Sequence, residues 1–383
     1  MNIIIIDHEP YSFRKKSHYY IDEFLADGWH VQYWAVNNAL DYLTGIQYTY
    51  SEEDAFVKYY FNVDAIIQSI RNFDPSDTIF IMEISFRTST TKIYKTLYDN
   101  KYHWVRINYY LNPTEYFRGK KTLRDKLQKF SIGSLMKKIK KLPQQRVYKN
   151  PVYNVPDILF ITGNKYDHVK AVKEVASLDY YDVEVYEKIK DSPAVLPYDY
   201  IVFLDVMLMN HPDIKRAGYE FTGYEKIYYD ALNALFGKIE KLTGLPVVIA
   251  SHPKANYTNE FGARQCIKHK TAELVIHSSS VLTHGSLSIS FALFAKKPIT
   301  FIYSERLFNV NYFLREFLNG VNNASERLGA EKINMDDPSS LALSKQVDDK
   351  KYDKLLEELY LKPGNSCSNF EILKQSFVRL LDK

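Results

Sequence analysis

The chain has 383 residues, 46% of them hydrophobic and 25% charged, with a formal net charge of +4. This is the composition of a soluble globular protein long enough for two α/β domains with sizeable cores. No run approaches the eighteen apolar residues of a membrane span. Cys266 and Cys367 have no metal-ligand spacing, which fits a reducing cytoplasm and leaves no zinc site.

Met1-Asn-Ile-Ile-Ile-Ile-Asp7 has four consecutive apolar residues and no basic leader, so it reads as a first strand rather than a signal peptide. The chain turns at Asp7-His8-Glu9-Pro10. A helix is expected over 17–27 before Gly28, then a strand over His30–Ala35. This opening is Rossmann-like but lacks GxGxxG, so a dinucleotide is not indicated. Residues 53–72 read as helix, Thr78–Glu83 as a buried strand, 88–99 as helix and Trp104–Asn108 as strand. Asp7, His8, Glu9 and Glu83 all fall at strand carboxyl ends, which line the ligand crevice of a parallel sheet. One of them is the expected general base, since deprotonating a hydroxyl needs a carboxylate or imidazole placed over it. For each alone, a turn-capping or solvated role is the competing reading.

Residues 118–149 carry twelve Lys or Arg against one acid, Asp125, a net +11. Leu123, Leu127, Phe130, Leu135, Ile139 and Leu142 interleave with the charge, the pattern of an amphipathic basic helix or a pair of them. Such a segment can rest on an anionic membrane surface, at about 1 kcal/mol per basic residue. The alternative is a solvated linker helix. No nucleic-acid motif accompanies the charge, so nucleic acid is not an expected partner.

The double-proline stretch Asn150–Pro156 marks a boundary, with domains expected at 1–150 and 151–383. Asp157–Gly163 would open the second domain, followed by a helix over 167–177 and a strand over Tyr200–Asp205. Asp205, His211 and Asp213 match no strong ligand motif, and no metal is expected. A helix over 222–243 leads through Gly244 to Pro246-Val-Val-Ile-Ala-Ser-His252-Pro253-Lys254. Ser280-Val-Leu-Thr-His284-Gly285-Ser286-Leu-Ser288 then continues to Lys-Lys-Pro298 and Tyr303 as strand, Gly/Ser turn, helix and strand. His252 thus ends one strand, with His284, Gly285, Ser286 and Ser288 at the end of another about thirty residues on. Gly285 allows close approach of a ligand, and Ser286 and Ser288 open a helix whose N–H groups suit a phosphate. Ser278-Ser279-Ser280 is an alternative serine element. A helix is expected over 305–318, then a loop-rich 321–350. Two closing helices are expected near 350–360 and 369–381, the last packing back on the first domain.

His252-Pro253, then Thr283-His284-Gly285-Ser286-Leu-Ser288 and Ala-Lys-Lys-Pro298, resemble the donor-binding half of GT-B glycosyltransferases. The pattern is most similar to bacterial surface-polysaccharide enzymes, including sialyltransferases with an HP motif and a later pair of serines. Here the serines at 286 and 288 are not adjacent. The resemblance covers mainly residues 200–303. It implies two Rossmann-like domains facing a central cleft, with no metal or cofactor needed for the chemistry. It implies a nucleotide-sugar donor, CMP-linked acidic sugars favoured over UDP-sugars, held by His252, Pro253, Lys254, His284, Gly285, Ser286, Ser288 and, from the following helix, Glu305. The acceptor would be an oligosaccharide or lipid-linked glycan, reached by a cytoplasmic enzyme peripheral to the inner face of the membrane. A nucleotide-sugar epimerase of the same fold and a non-catalytic polysaccharide-assembly protein are the alternatives.

Overall fold

The computed structural model describes residues 1–40, 54–108, 152–164, 172–211, 221, 223–310, 312–364 and 367–382. The basic segment 118–149 and Asp213 lie outside them. The described residues fall into two units. One joins residues up to 108 with 152–179 and 362–382, and the other spans 180–361.

In the first unit the described strands are β1 (Asn2–Asp7), β2 (His30–Ala35), β3 (Val57–Tyr59), β4 (Thr78–Glu83), β5 (His103–Asn108), β6 (Ile158–Thr162) and β7 (Glu174–Leu178). They form one sheet in the order β3-β2-β1-β4-β5-β6-β7, and every pairing is parallel. Alternation along β1 sends Ile3 and Ile5 to one face and Ile4 and Ile6 to the other, and all four are buried. Ile3 and Ile5 pack with Phe24, Leu373 and Phe377. Ile4 and Ile6 pack with Ile66, Ile70, Ile93 and Leu97, from the helices Val63–Ile70 and Thr91–Asp99. Because both faces are covered, the central strands β1 and β4 carry unbroken apolar runs, Ile3–Ile6 and Ile79–Met82, rather than alternating with polar residues.

The second unit holds β8 (Ile201–Leu204), β9 (Val247–Ala250), β10 (Cys266–Ile267), β11 (Ser280–Thr283), β12 (Ile299–Tyr303) and β13 (Lys332–Asn334). The order is β10-β9-β8-β11-β12-β13, again parallel throughout. Val202, Leu204, Val248 and Ala250 face a core shared with the helices Thr271–His277, Ile289–Phe294 and Asp349–Leu359. Ile201, Phe203, Val247 and Ile249 face the long helix Glu225–Thr243, which ends at Gly244 with φ 72°. The chain therefore carries two Rossmann-like α/β domains, as the sequence led us to expect. Among the described residues no helix is long and apolar enough to cross a membrane.

Several local expectations are corrected. The helix expected over 17–27 is two short ones, Phe13–His18 and Ile21–Ala26, because Tyr20 adopts a left-handed backbone (φ 53°) between them. The helix expected over 53–72 gives way to β3, paired beside β2, and starts only where the Asn62 side chain caps it at Val63. Ile158–Thr162 does not open the second domain; it pairs with β5 and extends the first sheet, and 174–178 is strand β7 rather than helix. The helix expected over 305–318 is two, Glu305–Phe308 and Tyr312–Leu328. The second runs into the stretch read as loop, which also holds β13.

The Asn369–Leu381 helix starts with a capping box from Ser368 and Glu371 and buries Leu373, Phe377 and Leu380 in the first unit's core. Phe377 stacks on Phe24 at 5.6 Å between ring centroids. Phe377→Ala is expected to destabilise the first unit by about 3–5 kcal/mol through the cavity it leaves, read as a shift in the urea unfolding midpoint.

Candidate functional site

In each sheet the strand order reverses once, and that reversal is where a doubly wound fold binds its ligand. From β1 the first sheet grows one way through β2 and β3, and the other way through β4 to β7, so the switch point lies between β1 and β4. Asp7 and Glu83 are register partners at the carboxyl ends of those two strands.

Asp7 is wholly buried. Its Oδ2 pairs with the Lys15 ammonium at 2.8 Å and accepts from the Tyr19 hydroxyl at 2.9 Å, while Oδ1 accepts from the Glu9 N–H at 2.9 Å. Lys15 also reaches the Glu9 carboxylate at 2.9 Å. Both Asp7 oxygens are thus turned inward. Asp7 shapes the turn and is corrected as a direct base. Glu83 is half-buried; its Oε1 accepts from the Ile107 N–H at 3.1 Å, and its carbonyl accepts from His8 Nδ1. Burial first, then the neighbouring Asp7 carboxylate, pushes the Glu83 carboxyl up to about 7, against the pull of Lys15, Arg106 and the Ile107 N–H. A carboxyl that titrates near neutrality at a switch point can take a proton and return it. Glu9 is more exposed than Asp7 and is tethered through Lys15.

In the second sheet the reversal falls between β8 and β11. The ends of β9, β8, β11 and β12 stand side by side there, bringing Asp205, His252, Gly285, Ser286 and Glu305 to one edge. Asp205 organises it. Its oxygens accept from the Met207 N–H (2.8 Å), the His252 N–H (3.0 Å) and the Tyr257 hydroxyl (2.7 Å). Burial raises the Asp205 carboxyl above its ordinary range, opposed by those three donors. His252 is half-buried and packs edge-to-face on His211 at 5.1 Å, while Pro253 and Lys254 are exposed beside it. His252 Nδ1 accepts from the Lys254 N–H at 3.2 Å, so a neutral ring carries its proton on Nε2, the form that donates to a phosphate oxygen. Asp205→Ala leaves three donors to find new partners and is expected to lower stability by about 2 kcal/mol or more, measured by urea unfolding.

Two expectations at this edge are overturned. His284 is completely buried. Its Nδ1–H donates to the Ile302 carbonyl (2.7 Å), and Nε2 accepts from the Tyr228 hydroxyl (2.9 Å). Burial pushes its pKa down to about 4, so the ring is a neutral pin between strands, with both ring nitrogens already engaged. Nor are the N–H groups of Gly285, Ser286 and Ser288 open to an anion. Thr283 Oγ1 accepts from both Gly285 N–H (2.9 Å) and Ser286 N–H (3.0 Å), and Ser286 Oγ accepts from Ser288 N–H (3.3 Å). The helix that follows, Ile289–Phe294, is under two turns long. Gly285 does adopt φ 114°, which a side-chain-bearing residue rarely reaches. Ser286 and Ser288 remain part-exposed and Glu305 exposed, so their side chains are what this turn can offer. Ser278 and Ser280 are buried at the opposite, amino end of β11.

No protein-family model matches the chain, and no curated protein matches it. Among solved structures it is similar to Arabidopsis thaliana UGT89C1 complexed with UDP, at 11% identity over 99% of each chain and a TM-score of 0.47. It is also similar to the UDP-GlcNAc 2-epimerase of Methanocaldococcus jannaschii, at 10% identity over 99% of this chain and 100% of that one, TM-score 0.44. A third is Acinetobacter baumannii MurG, at 6% identity over 93% and 90%, TM-score 0.42. At these values the likeness assigns neither reaction nor ligand. The chemistry must come from the two edges themselves.

Sequence reasoning missed Lys15, Arg106 and Tyr257. Arg106 spends its guanidinium on the carbonyls of Met82 and Ile84 and the Tyr94 hydroxyl, bracing the end of β4. Tyr257 is one of 32 tyrosines, and nothing in its neighbours marks it as the partner of Asp205. Lys15 sits in a basic run whose outward residues look identical to it in sequence.

Proposed function

We propose that this protein is a glycosyltransferase that moves a sugar from a nucleotide-activated donor to a hydroxyl acceptor. The observation that carries the reading is the place of Glu83, a carboxyl at the carboxyl end of β4, beside Asp7 of β1 at the switch point of the first sheet. In the proposed reaction the acceptor oxygen forms a bond to the sugar's anomeric carbon, and its proton passes to Glu83. The bond from that carbon to the donor phosphate breaks, leaving negative charge on the phosphate. His252, ordered by Asp205, donates to that growing charge, with Ser286, Ser288 and Lys254 as further donors. Glu305, exposed at the end of β12, suits a sugar or ribose hydroxyl. CMP-linked acidic sugars are the favoured donors, and surface polysaccharide or glycolipid the favoured acceptor. The basic segment 118–149 would keep the enzyme on anionic lipid. No Asp-x-Asp pair occurs to bridge a divalent ion to a diphosphate, so the proposal includes activity without metal.

The test is incubation with a panel of CMP- and UDP-sugars, with and without oligosaccharide acceptors, repeated in EDTA. Nucleotide release that depends on acceptor and survives chelation supports the reading. Isomerised nucleotide sugar without acceptor makes the protein an epimerase. No turnover of any donor, with glycan binding unaffected by loss of His252, makes it an assembly protein.

A further inference from the structure

The first unit's switch point holds an ammonium that the proposed reaction does not use. Lys15 lies on the Phe13–His18 helix, 6% exposed, and its Nζ sits between Asp7 Oδ2 (2.8 Å) and Glu9 Oε2 (2.9 Å). A lysine is rarely buried unless it is paired, and here it is paired twice, to the carboxylates that flank the β1 turn. Glu83 is Asp7's register partner on the neighbouring strand. The charged and titratable groups around Glu83 come from every packed element. Asp7 stands on β1, His8 and Glu9 in the turn, Lys15 on the helix and Arg106 on β5. Tyr33 on β2 donates its hydroxyl to the Glu9 carbonyl at 3.0 Å. Of the two cations, Arg106 is committed to backbone carbonyls and Tyr94. Lys15 alone of the two forms an ion pair with the carboxylates of this turn.

We propose that Lys15 is a positioning residue for this site, the internal counter-ion that fixes the β1 carboxylates and through them decides the charge carried by Glu83. The inference rests on the reading of Glu83 as proton acceptor, but its physical content can be measured apart from activity. Without Lys15 the negative charge of Asp7 would act on Glu83 with no ion-paired lysine to offset it. With it, that field is partly cancelled, and Glu83 is poised to give up its proton near neutrality instead of well above it.

The experiment is a carboxyl-carbon NMR titration of Glu83 in the full chain, run beside the pH profile of turnover. Lys15→Met is expected to move the Glu83 midpoint upward by about one pH unit or more, the usual size for loss of a nearby opposite charge. Asp7→Asn is expected to move it downward. Should Lys15→Met fail to fold, the double variant Asp7→Asn/Lys15→Met removes the buried pair together and leaves no charge stranded at Asp7. Its midpoint is expected above that of Asp7→Asn alone. A midpoint unchanged by loss of Lys15 in both backgrounds overturns the proposal, because a lysine that merely fills space would leave the titration where it was. If the midpoint moves and the pH profile of turnover does not, Lys15 keeps its role and Glu83 loses its place as the base.

Discussion

A His252→Ala variant is expected to fold normally and to lose about two to three orders of magnitude in turnover, the usual cost of removing one charge-stabilising donor. Folding survives because what ties this loop to Asp205 is the backbone N–H of residue 252, which alanine supplies equally well. The ring itself is only half-buried, so its loss opens no large cavity. What disappears is the imidazole whose Nδ1 is occupied by the Lys254 N–H, leaving the proton on Nε2. Nucleotide release by the purified variant, with circular dichroism to confirm folding, checks the expectation. A folded variant with the wild-type rate would take His252 out of the chemistry.

Glu83→Gln should slow the proposed transfer and stabilise the protein at once. Loss of a general base typically costs about 10²–10⁴ in rate. The wild-type rate should rise with pH through about 7, while the residual rate of the variant should not. Stability runs the other way. The Glu83 carboxyl titrates at about 7 when folded against an ordinary 4.5, so the folded state binds this proton more tightly than the unfolded state does. Ionising it therefore removes stability progressively between about pH 4.5 and 7, and the full cost persists above that window. Glutamine carries no charge and can still accept from the Ile107 N–H, so the variant should melt higher than wild type at pH 8 and alike near pH 4. Thermal melts at the two pH values decide it. A variant melting at or below wild type at pH 8 would mean that burying this carboxylate costs nothing. Exchange of stability for activity at one side chain is what a functional site is expected to show.

The strand ends were legible in the sequence, and the directions of the side chains at those ends were not. Asp7, Glu83, Asp205 and His252 each close an apolar run of four to six residues, and the period of such runs places their ends without any knowledge of packing. His284 also closes a strand, Ser280–Thr283, in which only Val281 and Leu282 are apolar. Its ring turns inward because Tyr228, 56 residues earlier, and the Ile302 carbonyl, 18 residues later, meet it there. No local pattern encodes that meeting. Thr283 likewise looks like an ordinary strand residue, yet its hydroxyl takes up the two N–H groups that the Gly285-Ser286 turn would otherwise show to an anion. The domain boundary failed for a similar reason. Ile158–Thr162 follows a double-proline stretch and reads as a fresh start, and only its pairing with Val105–Asn108 shows that it continues the first sheet.

The placement of the Asn369–Leu381 helix bears on how the protein is made. Leu373, Phe377 and Leu380 wall the core that also holds Ile3, Phe24 and Phe160. Asn369, whose side chain clasps the backbone of Asp179, follows it by 190 residues. At a synthesis rate of about 5–20 residues per second, the first sheet waits roughly 10–40 s on the ribosome for the helix that seals it. Meanwhile the described residues of the second unit all lie between 180 and 361, ahead of that helix. The part translated first is thus the part completed last, and its open apolar face is where a nascent-chain chaperone would be needed.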